Sequence, residues 1–326
     1  MKRREFITLF GCVAVSWPLV AHAQKSTMPV MGFLHYGSSV ELAELAAAVR
    51  QGLKEKGYVE HQNVEILYRW AEGHYDRLPT LAADLVHQRV NVIFAGGNAA
   101  AQVVKKATST IAVVFTSGAD PVKSGLVASL SRPGANLTGV NLFAQQIGAK
   151  RLELMRELLP QVRTVAIIFN PNFARAEAEL RDVEGAARSM GLQTISFVAS
   201  SNDEIEAAYA TISQQHVDAV LVGTDGYLIT RRDQFAALAI RDRMPTMYPF
   251  PAFPEAGGLI SYGPSLTDGY HQAGVYVGLI LKGTKPADLP IVQPTKFDLV
   301  INLKSAKAID VTISPLMLAR ADKVIE

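Results

Sequence analysis

The chain is almost without cysteine. Its one thiol, Cys12, lies within the first 23 residues of a 326-residue sequence. Beyond residue 23 this excludes disulfides, thiolate nucleophiles and cysteine-ligated zinc. An excess of charge of one sign is also missing. The sequence carries 32 Lys and Arg against 30 Asp and Glu. Setting aside residues 1–23 removes Lys2, Arg3, Arg4 and Glu5, which leaves 29 of each and a net charge of zero. No basic field remains to attract nucleic acid or an anionic membrane surface. Lys105-Lys106 and Arg231-Arg232 are pairs expected on solvated helix faces. There is no second apolar run of membrane length and no low-complexity segment, so the remainder is expected to be soluble.

Catalytic and cofactor signatures are missing too. No G-x-G-x-x-G follows the first strand, and no G-x-x-x-x-G-K-[ST] cradles phosphate. H-E-x-x-H and the G-x-S-x-G elbow are also absent. His35, His61, His74, His87, His216 and His271 are scattered without ligand spacing. His35 alone follows a strand, where a structural role is expected. The acidic pairs Asp182/Glu184 and Glu204/Glu206 belong to solvated helix faces. No cofactor, no metal and no enzymatic activity are expected.

What is present begins at the N-terminus. Lys2, Arg3 and Arg4 form a basic head, and Phe6–Val20 is a short apolar run. Ala21-His22-Ala23 is an A-x-A cleavage site, so a signal peptide of residues 1–23 leaves a mature chain starting at Gln24. Arg3-Arg4-Glu5-Phe6-Ile7 matches a twin-arginine export signal, with an ordinary Sec leader as the alternative. Leu9-Phe10-Gly11-Cys12 is a poor lipoprotein site, because Phe10 is unsuited to the position before Gly-Cys. The expected location is the periplasm.

Beyond the leader, β-branched apolar runs alternate with Ala/Leu/Glu-rich stretches. Strands are predicted at 30–34, 64–70, 90–95 and 111–116, with helices at 40–56, 78–88 and 98–107. Ser38 or Ser39 reads as the cap of the first helix. Residues 117–143 read as loop-rich. The rhythm then restarts. Helices are expected at 149–159, 174–190, 204–215, 231–241 and 268–281, and strands at 165–169, 193–198, 219–223, 245–248 and 259–262. This is an α/β chain of two doubly wound, Rossmann-like lobes with parallel sheets, joined by a hinge near residues 141–148. Residues 24–143 plus about 265–292 are assigned to the N-terminal lobe, and 144–264 plus about 293–326 to the C-terminal lobe.

Open parallel sheets bind ligands at the carboxyl ends of their strands. The loops there hold Tyr36, Ser38 and Ser39, then Gly97 and Asn98, then Thr116 and Ser117; in the second half they hold Asn170, Asp225, Tyr227 and Tyr262. Ser38, Ser39, Asn98 and helix-start amides suit a carboxylate. Asp225 suits an ammonium group. Tyr36, Tyr227 and Tyr262 offer flat surfaces with a polar tip. The same residue types also cap helices and make turns, so Asp225 fits either role, as does each tyrosine. Asp120 before Pro121 reads as a turn former.

Longer stretches carry a family resemblance. The tail runs Lys282-Gly283-Thr284-Lys285-Pro286-Ala287-Asp288-Leu289-Pro290, then Phe297-Asp298-Leu299-Val300-Ile301-Asn302-Leu303-Lys304-Ser305-Ala306, and ends in Arg320-Ala321-Asp322-Lys323-Val324-Ile325. Asp120-Pro121-Val122, Gly125-Leu126-Val127 and Arg132-Pro133-Gly134-Ala135-Asn136-Leu137-Thr138-Gly139-Val140 fit the same pattern. Together they resemble the tryptophan/tyrosine-type substrate-binding proteins of ABC transporters. The resemblance implies a type I periplasmic-binding-protein fold with three crossovers between lobes. It implies a small ligand with a carboxylate, an aromatic amino acid favoured, and delivery to an ABC permease in the inner membrane by a monomer. By the same resemblance, Ser38, Asn98, Thr116 and Ser117 would take the carboxylate and Asp225 the ammonium, with Asn170 and Tyr262 closing from the second lobe. The same scaffold also serves a sensing role, presenting its closed form to a membrane receptor, and the sequence does not separate the two.

Overall fold

A computed structural model describes residues 28–145, 147–173, 176–294 and 296–326. The leader, its cleavage site and Cys12 lie outside these residues. Two parallel α/β sheets dominate, and their strands follow the same doubly wound order. The first runs β2-β1-β3-β4-β5, with β1 Val30–His35, β2 Glu65–Trp70, β3 Val92–Gly96, β4 Ala112–Ser117 and β5 Leu137–Asn141. The second is built on β6 Thr164–Phe169, β7 Gln193–Val198, β8 Ala219–Val222, β9 Thr246–Tyr248 and β10 Ile260–Gly263, in the order β10-β9-β8-β6-β7. Its free edge is extended by β11 Asp298–Asn302, antiparallel to β10, and by β12 Lys323–Ile325. β3 is buried along its whole length and β1 nearly so, as strands covered by helices on both faces must be.

The helices confirm the β-α rhythm and correct some of its detail. α1 is Ala43–Glu55, α2 Leu78–His87 and α3 Asn98–Ala107. α1 begins after residue 40 because Ser38 and Glu41 close a turn of their own. Ser38 Oγ donates to Glu41 Oε2 at 2.8 Å and accepts the Glu41 N–H at 3.3 Å. Leu42 precedes the helix without a side-chain cap, so neither Ser38 nor Ser39 caps α1. The stretch read as loop contains β5. Thr138, Gly139 and Asn141 interrupt its apolar run, but the strand closes the edge of the sheet, and a side chain at Gly139 would meet the Phe115 backbone. In the second lobe, α4 is Gly148–Leu158, α5 Ala176–Ser189, α6 Asn202–Gln214 and α8 Arg232–Arg241. Between β8 and α8 stands a short helix that the periodicity does not predict, α7 Gly226–Thr230, and Asp225 caps it. α9 is Ala252–Glu255, and α11 Leu303–Ala308 and α12 Pro315–Arg320 precede β12.

The chain passes between the sheets after β5, again after β10, and a third time between Val292 and β11. After the second passage it returns as α10, Leu266–Leu281, which lies on α1 of the first lobe. The two helix backbones nearly touch. A side chain at Gly52 would collide with the His271 carbonyl, and one at Gly274 with the Val49 carbonyl. Val292 then pairs beside Val140 at the edge of the first sheet. Phe33, Phe94, Val49, Leu53 and Val277 form the core beneath this helix pair. Val165, Leu221, Ile260 and Ile301 form a core in the second lobe. A third cluster crosses the seam, from Leu34 and Ile93 to Ile168, Val220 and Phe235.

Candidate ligand-binding site

Each sheet reverses its strand order at one point, between β1 and β3 and between β6 and β8. Both switch points open onto one cavity of about 80 Å³ between the lobes. The first lobe contributes His35, Tyr36, Tyr75, Asn98, Thr116 and Ser117 to its wall. The second contributes Phe173, Thr224, Asp225, Gly226, Ile229 and Phe250, and the returning helix adds Leu266 and Tyr270. An outer chamber of about 680 Å³ shares Leu42, Leu45, Ile229, Phe250 and Leu266 with it, so an apolar collar separates the two spaces.

The floor on the first-lobe side is a chain of fixed dipoles. His35 is buried, and burial pushes its imidazole down to about 3, so the ring is neutral at physiological pH. Its Nδ1 accepts the Gly37 N–H at 3.1 Å, which assigns the remaining proton to Nε2. Nε2 therefore donates to Tyr270 Oη, 2.8 Å away. Thr116 Oγ1 accepts the Gly97 N–H at 3.0 Å. Ser117 Oγ donates to the Ala119 carbonyl at 3.0 Å and lies 3.3 Å from Asn98 Oδ1. Asn98 and Ala99 open α3, whose first-turn amides have no acceptor within the helix and carry the positive end of its dipole.

The second lobe supplies the one carboxylate among the described residues of the wall. Asp225 Oδ1 accepts from the N–H groups of Tyr227 at 2.9 Å and Leu228 at 3.3 Å, and from Asn170 Nδ2 at 2.9 Å. Oδ2 accepts from Tyr75 Oη at 2.6 Å. Burial raises the carboxyl against these four donors. Tyr75 belongs to the first lobe, so this bond spans the seam. Tyr36 stacks on Tyr75 with ring centroids 4.3 Å apart. A side chain at Gly226 would stand 3.2 Å from Tyr36, and one at Gly118 would stand 3.2 Å from Thr224, so glycines sit at two close approaches of the lobes. At the rim, Arg231 pairs with Glu41 across the seam.

Of the residues singled out from the sequence, Tyr36, Asn98, Thr116, Ser117 and Asp225 meet at the cavity. The other four lie off its wall. Ser38 is held in its turn with Glu41. Asn170 stands behind Asp225 as a donor. Tyr227 turns away, its Oη donating to Asn202 at 2.9 Å and its ring under the Arg231 guanidinium at 5.6 Å. Tyr262 stacks on Phe297, centroids 6.1 Å apart. Sequence reasoning overlooked Tyr75, Phe173, Phe250 and Tyr270. Tyr75 follows β2, a strand-end loop like the rest, so its signal was readable. Phe173 and Phe250 likewise follow β6 and β9. Tyr270 sits mid-helix, and only the packing of α10 brings it in.

Among the described residues there is no group of three or more His, Cys, Asp or Glu able to hold a metal ion. Among them, no helix is long and apolar enough to cross a membrane.

Comparison with known proteins is consistent across sequence and structure. A tyrosine-binding protein of Clostridioides difficile is 24% identical over 260 residues, 80% of this chain and 74% of the relative. A Streptococcus pneumoniae ABC domain solved in complex with L-Trp superposes with a TM-score of 0.82 at 27% identity, covering 92% of this chain and 100% of that one. A conserved domain protein from Vibrio cholerae gives a TM-score of 0.83 at 26% identity, over 91% of this chain and 100% of that one. The family described as ABC transporter substrate binding protein matches residues 38–325. Its members bind a substrate and do not transform it, in keeping with two lobes closed on a cavity, and the chain belongs to this family.

Proposed function

We propose that the protein captures an aromatic amino acid between its lobes and delivers it to an ABC permease. The observation that carries the ligand class is the charge of the cavity wall. Asp225 is its one formal charge among the described residues, with no Lys or Arg beside it and a neutral His35. A carboxylate ligand without an amine would add a second negative charge to the cavity and leave Asp225 without a counter-charge. A zwitterion fits both sides: its ammonium toward Asp225 Oδ2, its carboxylate toward the first-turn amides of α3. Tyr36, Tyr75, Phe173 and Phe250 supply flat apolar surface, and the collar leads the ring toward the outer chamber. The relatives named for tyrosine and solved with L-Trp support this choice. The leader supports export to the periplasm and cleavage after Ala23. The match to a transport family favours delivery over sensing.

The test is calorimetry on the chain from Gln24, stripped of bound ligand by partial unfolding, with L-tryptophan, L-tyrosine and the corresponding deaminated acids. The amino acids are expected to bind and the acids to fail. Asp225→Asn keeps an acceptor for the helix cap but removes the charge, and should weaken amino-acid binding by about 2 kcal/mol or more. Equal binding of the deaminated acids would overturn the zwitterion assignment.

A further inference from the structure

Two charged side chains of the second lobe are buried behind the cavity without lining it: Arg151 on α4, 1% exposed, and Glu179 on α5, 8% exposed. Charges this deep are costly unless their polar atoms are engaged. Glu179 Oε1 accepts the backbone N–H of Thr224 at 3.0 Å, and its Oε2 accepts from Gln145 Nε2 at 3.2 Å. Arg151 donates from Nη1 to Thr224 Oγ1 at 3.4 Å, from Nε to the Tyr262 carbonyl at 3.1 Å, and from Nη2 to the Ala144 carbonyl. Ala144 and Gln145 lie on the first passage between the lobes, and Tyr262 lies near the end of the strand before the second. Thr224 lines the cavity immediately before Asp225. The two charges thus grip Thr224 from both sides and bind it to two of the three crossovers.

We propose that Glu179 and Arg151 are positioning residues for ligand capture, holding the Thr224–Asp225 loop in the register that the closed lobes require. The inference rests on the capture reading above and deepens it. Two apolar side chains of similar volume would fill this space, yet neither could hold the Thr224 N–H or the Ala144 carbonyl. The charge is therefore explained by what it fixes. It also makes the clamp sensitive to protons. Burial pushes the Glu179 carboxyl up to about 6, with Arg151, Thr224 and Gln145 opposing. Burial likewise lowers Arg151 to about 10, with Glu179 opposing. Of the elements packed on α5, α4 presents Arg151, while β6 and β7 carry no charged residue. Asp225 follows in the same loop as Thr224. Below about pH 6 Glu179 gains a proton and loses its charge opposite Arg151.

The experiment is L-tryptophan and L-tyrosine affinity from pH 5 to 8 for the chain from Gln24, its Glu179→Gln variant and its Gln145→Ala variant. Wild-type affinity should fall on acidification through pH 6. Glu179→Gln should bind about tenfold more weakly at pH 7.5, with a flattened profile, while still unfolding cooperatively. Gln145→Ala removes a donor to the charged carboxylate, so its midpoint should move to higher pH. It serves if Glu179→Gln does not fold. Unchanged affinity and parallel profiles in both variants would overturn the proposal. If the wild type binds neither amino acid, the capture reading fails, and amide exchange decides the clamp alone. Faster exchange at Thr224 in Glu179→Gln supports it, and equal exchange overturns it.

Discussion

At the scale of single residues, His35 and Glu179 bend the stability curve in opposite directions. His35 titrates near 6.5 when unfolded and near 3 when folded. Between these values the unfolded chain holds more protons, so stability rises with pH and is lost on acidification. Glu179 goes from 4.5 to about 6, so the folded chain holds more protons between them and stability falls as pH rises through that window. His35→Gln should therefore remove an acid sensitivity of up to about 1.4 kcal/mol per pH unit below pH 6.5, read from urea midpoints at pH 7 and pH 5. Identical pH slopes for variant and wild type would show that the imidazole is not held neutral. Asp225 shows how far residue type alone could be read. It was legible as an acid in a loop at the carboxyl end of a strand. Capping was the other role open to it, but the helix it caps, α7, was not legible, because five helical residues leave too little periodicity to see. The donors Asn170 and Tyr75 arrive from 55 and 150 positions away.

Among elements, the helices and strands with one clear period were legible within a few residues, and α3 and β7 fell on their expected bounds. β5 escaped because a strand containing Thr138, Gly139 and Asn141 has no apolar run. Its threonine is answered from afar, with Thr138 Oγ1 donating to the Leu289 carbonyl at 2.7 Å. The α1–α10 contact was equally hidden. Gly52 and Gly274 look like weak points in helices, each costing about 1 kcal/mol relative to alanine. Their position explains them, since backbone meets backbone there. Gly274→Val should push α10 off α1 and cost about 1–3 kcal/mol or more, lowering the thermal midpoint while α10 remains helical by circular dichroism. A midpoint equal to wild type would mean that the helices pack less closely than described.

For the whole molecule, the lobes touch through contacts of their own as well as through the proposed ligand. Tyr75 bonds to Asp225, Glu41 pairs with Arg231, and Tyr36 lies against Gly226. A ligand shifts an open–closed equilibrium only by its differential contacts, so these native bonds set where that equilibrium starts. Glu41 and Arg231 are each about a quarter exposed, so their pair is worth a modest amount and is screened by salt. Glu41→Gln should weaken amino-acid binding by about twofold to fivefold at low ionic strength, with the difference vanishing in high salt. A difference that persists at high salt would assign the effect to packing.

The return of α10 to the first lobe has a consequence for how the protein is made. Residues 266–281 complete a unit that began at Val30, and Val292 finishes its edge. On the ribosome, then, the N-terminal unit has to wait, its α1 face bare, until nearly the whole message has been read. Completing the first lobe therefore depends on contacts far apart in sequence, which form slowly and leave apolar surface open to aggregation meanwhile. If the proposed export runs by a route that accepts folded cargo, the chain has that time before it leaves the cell.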